Sequence, residues 1–165
     1  MGKTISGQPL GGFHNHDSCC SVRTFKEGGC RVHLPGSAKS AGIWICLSGT
    51  AYQNEHAYHD KLCDLLFAWE KGSGATLSAP LELKGGHVDV SHVRKQLQNG
   101  ADIIDGLLKG IDVSLTPILV HQKITTAESR MLEREKVSFR GRKLPISRVR
   151  SEAKVDQLLD GRTAI

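Results

Sequence analysis

Apolar residues form short runs along the first half of the chain, and the two clearest runs predict a hairpin. Leu62–Glu70 and Thr76–Lys84 are both rich in apolar residues, and the sequence Lys-Gly-Ser-Gly-Ala separates them. Runs of this length that are bounded by glycine and serine are typical of strands, and a short glycine-containing connection joins such strands as a hairpin. The pattern therefore predicts two paired strands with a turn near residues 72–74.

The hydrophobic period changes from two to 3.6 between His87 and Leu108, which predicts an amphipathic helix. One stripe of this helix carries Val93, Leu97, Ala101, Ile104 and Leu108. Gly110 offers a stop at the C-terminal end. The apolar run Leu115–His121 comes next and predicts a buried strand, in which Pro117 is compatible only with a strand beginning or a sheet edge.

The other elements are predicted from shorter patterns. Strands are indicated at Cys30–Leu34, at Ile43–Leu47 and within residues 137–149, where a hairpin is the alternative. Residues 51–61 and 125–135 are polar, and each segment suits a short helix or a loop. Ser151–Leu159 predicts a terminal helix with Ser151 as its N-cap, because Glu152 falls in the first turn and apolar residues share one face.

This order of elements predicts an α/β (α+β) fold. A hairpin, a crossover helix and a further strand imply a mixed sheet with helices on its faces. The chain has 165 residues, of which 39% are hydrophobic, so it is long enough for one domain with a real core. We assign the glycine-rich, polar residues 1–18 to a flexible N-terminal arm and residues 19–165 to a single domain.

Composition narrows the classes of function. No apolar run approaches the roughly 18 residues of a membrane helix, and residues 1–8 lack the apolar core of a secretory signal, so we expect a cytoplasmic protein with no membrane partner. The five cysteines are an odd number, and we expect reduced thiols. A net charge of +5 suits a nucleic-acid partner without proving one.

Three charges interrupt the apolar hairpin: Asp64 in its first strand, and Glu82 and Lys84 in its second. A charge in a half-buried strand is costly unless it is paired or binds a metal. Side chains alternate along a strand, so Glu82 and Lys84 share a face, and a bulge or the long second strand would bring Asp64 close to Glu82. The alternative is a surface hairpin whose charges pair across the strands.

Two carboxylates and a lysine at one point suit metal-assisted cleavage of a phosphodiester. Mg²⁺ is usually held by one or two carboxylates with waters and substrate phosphate, and the backbone carbonyl of Leu83 offers a further oxygen. The ion would polarise the scissile phosphate, and Lys84 would orient or activate the attacking water. Glu152-Ala-Lys154 repeats the Glu-x-Lys spacing in the predicted terminal helix without an aspartate partner, so we expect that copy to be solvated.

The hairpin and the following helix resemble the PD-(D/E)xK nuclease superfamily, which includes many restriction endonucleases, resolvases and repair nucleases. The resemblance rests on Asp64 in CDLLF, Glu82-Leu-Lys84 in PLELK, and QLQNGADII from Gln96, and it covers about residues 55–125. It implies a restriction-endonuclease-like mixed sheet flanked by helices. It also implies a Mg²⁺-dependent endo- or exodeoxyribonuclease, with Mn²⁺ as a substitute ion.

The resemblance also implies a role for each matching residue. Asp64 and Glu82 are the expected metal ligands, together with the carbonyl oxygen of Leu83. Lys84 is the expected catalytic lysine. Gln96 matches a helix glutamine that supports the site or contacts the phosphate backbone.

Several alternatives stay open around this site. Gln98 is the alternative to Gln96, and Asp60 replaces Asp64 if the first strand begins earlier. Many members of the superfamily carry a glutamate in a helix before the first strand, and Glu55 is the candidate for an accessory role. Four histidines flank the predicted site as candidates for an extra ligand or base, or as ordinary loop residues: His56, His59, His87 and His92.

A basic segment lies near the C-terminus. Residues 136–150 carry basic side chains and no acidic one: Lys136, Arg140, Arg142, Lys143, Arg148 and Arg150. We take Arg140, Arg142, Lys143 and Arg148 as candidates for binding the phosphate backbone of DNA. A solvated edge strand protected by charge explains the segment equally well. A small nuclease domain often needs a homodimer or a larger complex to cut both strands.

Two other classes of function remain open. The first is a binding module for nucleic acid or protein, with a nuclease-like fold and no cleavage, that acts in a larger complex. The second is an interaction domain stabilised by zinc, with ligands drawn from Cys19 or Cys20, Cys30, His33, His14 and His16. The spacing of these residues is irregular, so the zinc signal is weak.

Overall fold

The computed structural model describes residues 24–33, 42–47, 62–70 and 75–154. The predicted arm at residues 1–18 and the predicted helix or loop at residues 51–61 lie outside these ranges. The described elements are β1 Thr24–Glu27, β2 Cys30–His33, β3 Gly42–Cys46, β4 Leu65–Glu70, β5 Thr76–Lys84, α1 Val90–Leu107, β6 Val113–Leu115, β7 Ile118–His121, α2 Thr126–Arg134, β8 Lys136–Phe139, β9 Arg142–Pro145, β10 Ser147–Arg150 and β11 Ala153–Lys154.

The main sheet is mixed, as predicted. Its strand order is β10-β7-β5-β4-β3, with β6 also paired to β5. The strands β3, β4 and β5 are antiparallel, whereas β6 and β7 are parallel to β5, and β10 is parallel to β7. The predicted hairpin is therefore confirmed as β4 and β5, and β5 becomes a central strand of the sheet.

Pro117 divides the predicted strand at Leu115–His121 into two. β6 pairs with the first half of β5, and β7 pairs with the second half. Between them, the Thr116 N–H still donates to the Ser78 carbonyl at 2.9 Å. Proline has no N–H for the ladder, so its place directly before β7 agrees with the predicted strand beginning.

Helix α1 confirms the predicted stripe, since its stripe residues are buried against the sheet. Asp89 is the N-cap and accepts a hydrogen bond from the His92 N–H at 3.1 Å. Beyond the end of the helix, Gly110 has a φ of 83°, which glycine adopts without strain. Neither described helix is long and apolar enough to cross a membrane.

The two faces of the main sheet are covered differently. Helices α1 and α2 and the β8–β9 hairpin pack on one face through a core that includes Leu66, Leu97 and Leu132. A small sheet of order β1-β2-β11 covers the other face, where Phe25 and Val32 meet the opposite side of β4 and β5. Within the described residues the helices thus flank the mixed sheet on one face, and a second sheet buries the apolar side of the other face.

The predicted terminal helix at Ser151–Leu159 is wrong at its start. Ser151 and Glu152 form a turn, and β11 then pairs in parallel with β2. The Glu152 N–H donates to the Arg31 carbonyl at 2.7 Å, and the Arg31 N–H donates to the Ser151 hydroxyl at 2.9 Å. These backbone partners come from a distant strand, so tertiary pairing overrides the local preference for a helix. Glu152 and Lys154 are exposed, which agrees with the solvated role expected for this second Glu-x-Lys copy.

Two glycines of α1 give a matched test of helix packing. A Cβ at Gly100 would lie 2.5 Å from Cys63 Sγ and 2.7 Å from Pro80 Cβ, whereas a Cβ at Gly106 meets nothing within 4 Å. We expect Gly100→Ala to destabilise the fold by about 1–3 kcal/mol through overpacking. We expect Gly106→Ala to stabilise it by about 0.5–1 kcal/mol, because alanine favours the helix. Urea denaturation of both variants checks the expectation, and equal effects of the same sign would contradict it.

Candidate active site

The segment just before β4 brings Asp64 close to Glu82. Asp64 comes just before β4 rather than within it, and its N–H donates to the Leu81 carbonyl at 3.0 Å. Leu65 is the register partner of Leu81, so two consecutive residues, Asp64 and Leu65, face Leu81 at the end of the ladder. Two residues opposite one is the arrangement of a bulge, and it brings the Asp64 side chain to the backbone of Leu83 beside Glu82.

Asp64 is also bound to the strand that carries the other two charges. Its Oδ2 accepts a hydrogen bond from the Leu83 N–H at 2.7 Å, and the residue is buried. The N–H and C=O groups of one strand residue point to the same side, so the Leu83 carbonyl also points toward the Asp64 side of β5. The three predicted metal ligands are therefore neighbours.

Glu82 is the most deeply buried charge of the described residues. Its side chain is 1% exposed, and Lys84 Nζ lies 2.5 Å from its Oε1. Apart from this ion pair, neither carboxylate oxygen has a hydrogen-bond partner within the described ranges. Burial and then the charge of Asp64 raise the pKa of Glu82 to about 8, although Lys84 and Gln96 act in the opposite direction.

Lys84 connects this buried pair with the surface. It lies at the C-terminal end of β5, and its side chain is 28% exposed. Glu82 and Lys84 share the sheet face that α1 covers, as the alternation of strand side chains predicts. A lysine in this position can contact both the buried carboxylate and a ligand that approaches the strand end.

The structure separates Gln96 from its alternative, Gln98. Gln96 is buried, its Nε2 donates to the Leu62 carbonyl at 3.0 Å, and its Oε1 has no partner in the described part of the chain. Gln98 instead joins α1 to β8, because it exchanges hydrogen bonds with the backbone of Ser138 at 2.8 and 2.9 Å. Only Gln96 therefore lies beside the carboxylates.

Cys63 lines the same buried region, although the sequence indicated only a small core residue. Its thiol is free and buried. Burial, and then the charges of Glu82 and Asp64, raise the pKa of this thiol well above its usual value. The Cys63 side chain is therefore an uncharged thiol that lines the site, and it is not a nucleophile.

The donor set fits a hard divalent cation such as Mg²⁺. Asp64 and Glu82 offer carboxylate oxygens, and Leu83 offers a carbonyl oxygen, which suits an ion that keeps several waters. Within residues 24–33, 42–47, 62–70 and 75–154, no three His, Cys, Asp or Glu side chains come together as a metal site. The observation that favours a cation is Glu82 Oε2, which is buried without a hydrogen-bond partner in the described residues, whereas Lys84 Nζ lies 2.5 Å from Oε1.

The candidate histidines and acids outside the hairpin differ in their placement. His56, His59, Glu55 and Asp60 lie outside the described residues. His87 is largely exposed, and its Nδ1 lies 2.8 Å from Glu128 Oε1. Glu128 also accepts hydrogen bonds from the Thr125 and Val88 N–H groups, and these bonds lower its pKa to about 2. His87 is thus held by the N-terminal turn of α2.

The predicted DNA-binding residues fall into two groups. Arg140 donates to Asp105 and to the carbonyls of Ile111 and Leu108, and its guanidinium stacks on Phe139, so it fastens the end of α1. Arg148 is bound to Ser129 and Glu133 of α2. Arg142 and Lys143 are exposed at the start of β9, and Lys143 donates to the Ser138 hydroxyl at 2.7 Å.

Cys30 and His33 point to opposite faces of β2. The Cys30 thiol is buried against the Val120 carbonyl. His33 Nε2 lies 2.9 Å from Glu152 Oε2 on the outer face. These two residues therefore do not lie together as zinc ligands, and the other members of that cluster are outside the described residues.

The β1–β2 turn packs on the end of the strand that carries the site. Gly28 and Gly29 form this turn with positive φ angles, and the Gln122 side chain donates to the Gly29 carbonyl. A Cβ at Gly85, one residue after Lys84, would overlap the carbonyl oxygen of Gly28. The glycine after the Glu-x-Lys motif is therefore required by the close approach of another chain segment, which the sequence alone did not indicate.

Comparisons with protein-family models, with curated proteins and with solved structures find no match to this chain. The function is therefore argued from the fold and the site. The fold is a mixed α/β arrangement with a central mixed sheet, and the site is a buried pair of carboxylates with a lysine at the end of a central strand.

Proposed function

We propose that the protein is a metal-dependent nuclease that hydrolyses DNA phosphodiester bonds, with a restriction-endonuclease-like fold. The observation that carries the proposal is Glu82. Its carboxylate is buried close to Asp64, and Lys84 Nζ lies 2.5 Å from its Oε1. A buried carboxylate pair costs stability, so a fold that keeps one has a use for it.

In this proposal, Asp64, Glu82 and the Leu83 carbonyl hold Mg²⁺, with Mn²⁺ as a substitute. The bound ion supplies charge for the scissile phosphate and lowers the pKa of a bound water. Lys84 contributes a positive charge beside the phosphate and a group that orients the water. Gln96 holds the Leu62 carbonyl on one side and faces the carboxylates on the other, so it fixes the start of β4 against α1.

DNA is the proposed substrate because the chain has a formal net charge of +5 and exposed basic residues near the strand ends. One site of this size cuts one strand at a time. Cleavage of both strands of a duplex therefore calls for a homodimer or a larger complex.

The decisive experiment compares the wild type, Asp64→Asn and Asp112→Asn on supercoiled, linear and single-stranded DNA with Mg²⁺, Mn²⁺ or EDTA. Asp112 is exposed after α1 and serves as the matched control. We expect cleavage only with metal, its loss in Asp64→Asn, and full activity in Asp112→Asn. The substrate that is cut fastest identifies the preferred DNA form.

Two results would contradict the proposal. Cleavage that persists in EDTA or in Asp64→Asn would show that the carboxylates are not the site. DNA binding without cleavage under any metal would instead favour the binding module.

A further inference from the structure

We propose that Lys84, His121 and Arg150 form a phosphate-binding row that holds the DNA backbone next to the carboxylates. The three residues lie on neighbouring strands β5, β7 and β10. Register pairs Lys84 with His121 and His121 with Arg150. This inference rests on the proposed function, since the row extends the same site.

The parallel strands bring these residues to one edge and one face of the sheet. Register partners in a sheet point to the same face, so all three side chains lie on the face of Glu82. Strands are about 4.8 Å apart, so the row spans about 10 Å from Lys84 to Arg150. A DNA strand advances about 3.4 Å per nucleotide along its axis, so this row covers two to three nucleotides.

Arg150 differs from the other arginines of the basic segment. Arg140 and Arg148 are bound by carboxylates of the protein at 2.7 and 3.1 Å. Arg150 is exposed, and no described carboxylate lies within ion-pair distance of it. A guanidinium with open donors is suited to a phosphodiester, which it can bind with two parallel hydrogen bonds.

His121 joins the two ends of the row. The residue is 7% exposed, and its Nδ1 is buried without a hydrogen-bond partner in the described residues. Burial and then the charges of Arg150 and Arg148 lower the pKa of His121, with Glu128 opposing them. The arginines of β10 therefore lie close enough to act on the imidazole ring. A ligand, or a water bound to it, would give the buried Nδ1 the hydrogen-bond partner that it lacks.

The opposite face of the strand ends is closed. The β1–β2 turn packs against Gly85, and the Gln122 side chain holds that turn in place. α1 and α2 cover most of the face that carries the row, so DNA approaches at the strand ends, where the Lys84 side chain is 28% exposed and Arg150 is exposed. The exposed Arg142 and Lys143 belong to the β8–β9 hairpin, which is outside the main sheet.

The test measures DNA binding in EDTA, where no metal-dependent cleavage occurs. Labelled duplex and single-stranded oligonucleotides are titrated with the wild type, Arg150→Ala, His121→Phe and the control Arg130→Ala, which removes an exposed arginine of α2. We expect Arg150→Ala to weaken binding about tenfold, as loss of a charged hydrogen bond does. We expect it to reduce the slope of log K against log salt by about one.

His121→Phe keeps an aromatic ring and removes both nitrogens. We expect weaker DNA binding together with an unchanged or higher melting temperature, because the substitution removes a buried nitrogen that lacks a partner. A merely structural histidine would give the reverse result, with lower stability and unchanged binding. The melting temperature and the affinity together therefore separate the two roles.

Binding and cleavage separate this inference from the proposed function. If the wild type binds DNA and Arg150→Ala binds as tightly as Arg130→Ala, the row is overturned while the nuclease proposal stands. If the wild type binds no oligonucleotide, the row is overturned as well. If no metal supports cleavage but Arg150→Ala weakens binding, the row is supported and the nuclease proposal fails.

Discussion

Lys84→Ala is expected to lower the rate of metal-dependent DNA cleavage by about 10²–10³-fold, which is the usual cost of removing one group that stabilises transition-state charge. The reason is its position, since its ammonium contacts Glu82 and reaches the surface at the end of β5. Alanine leaves Asp64, Glu82 and the Leu83 carbonyl in place. Metal binding should therefore survive while turnover falls.

Single-turnover cleavage and calorimetric Mg²⁺ binding, measured on the same preparations, check this expectation. Lys109→Ala removes an exposed lysine beyond α1 and is the matched control. A wild-type rate in Lys84→Ala would exclude the lysine from catalysis. Loss of Mg²⁺ binding together with activity would show that Lys84 acts by holding the site together.

Glu82→Gln is expected to abolish cleavage and, at the same time, to stabilise the metal-free protein at pH 8. The pKa of Glu82 is raised from 4.5 to about 8 in the folded protein. Between these values the folded state binds a proton that the unfolded state releases, so stability falls as the pH rises from about 4.5 to about 8. Over this pH range the free energy of unfolding falls by on the order of 3–5 kcal/mol, and Glu82→Gln removes this pH dependence.

Urea denaturation in EDTA at pH 5, 6.5 and 8 measures this effect. The wild type should lose stability across the series, whereas Glu82→Gln should change much less, so the difference grows toward pH 8. Glu133→Gln changes an exposed carboxylate of α2 and serves as the control. Parallel pH profiles for the wild type and Glu82→Gln would show that Glu82 is not a costly buried acid. Added Mg²⁺ should restore stability to the wild type and to Glu133→Gln, but not to Glu82→Gln.

Local patterns predicted the hairpin, helix α1 and the trio of Asp64, Glu82 and Lys84. These features depend on short-range physics: strand alternation, a 3.6-residue period and a turn of limited length. Asp64 and Glu82 belong to the same hairpin, so its pairing and the bond from the Leu83 N–H to Asp64 bring them together. Gln96 was also predictable, because it follows the same helical stripe toward the sheet.

Long-range pairing is what the sequence could not show. The residues of β11 were assigned to a helix because their local pattern allows one, and only the distant strand β2 makes the extended form better. The basic segment was treated as one surface, although Arg140 and Arg148 find partners on α1, α2 and adjoining backbone. The order of the parallel strands places His121 and Arg150 beside Lys84, and no local sequence pattern predicts that order.

The pairing of β11 with β2 also has a consequence for the order in which the protein folds during synthesis. The hydrogen bond from Arg31 to Ser151 closes a loop of 120 residues, whereas β4 and β5 form within one short segment. Short loops close first because their entropic cost is lower. The β4–β5 hairpin can thus form while the ribosome is still adding the residues that follow it. The three-stranded sheet is completed only after residue 154 leaves the exit tunnel, whereas β1 and β2, which bring Phe25 and Val32 to the apolar side of the hairpin, are already synthesised.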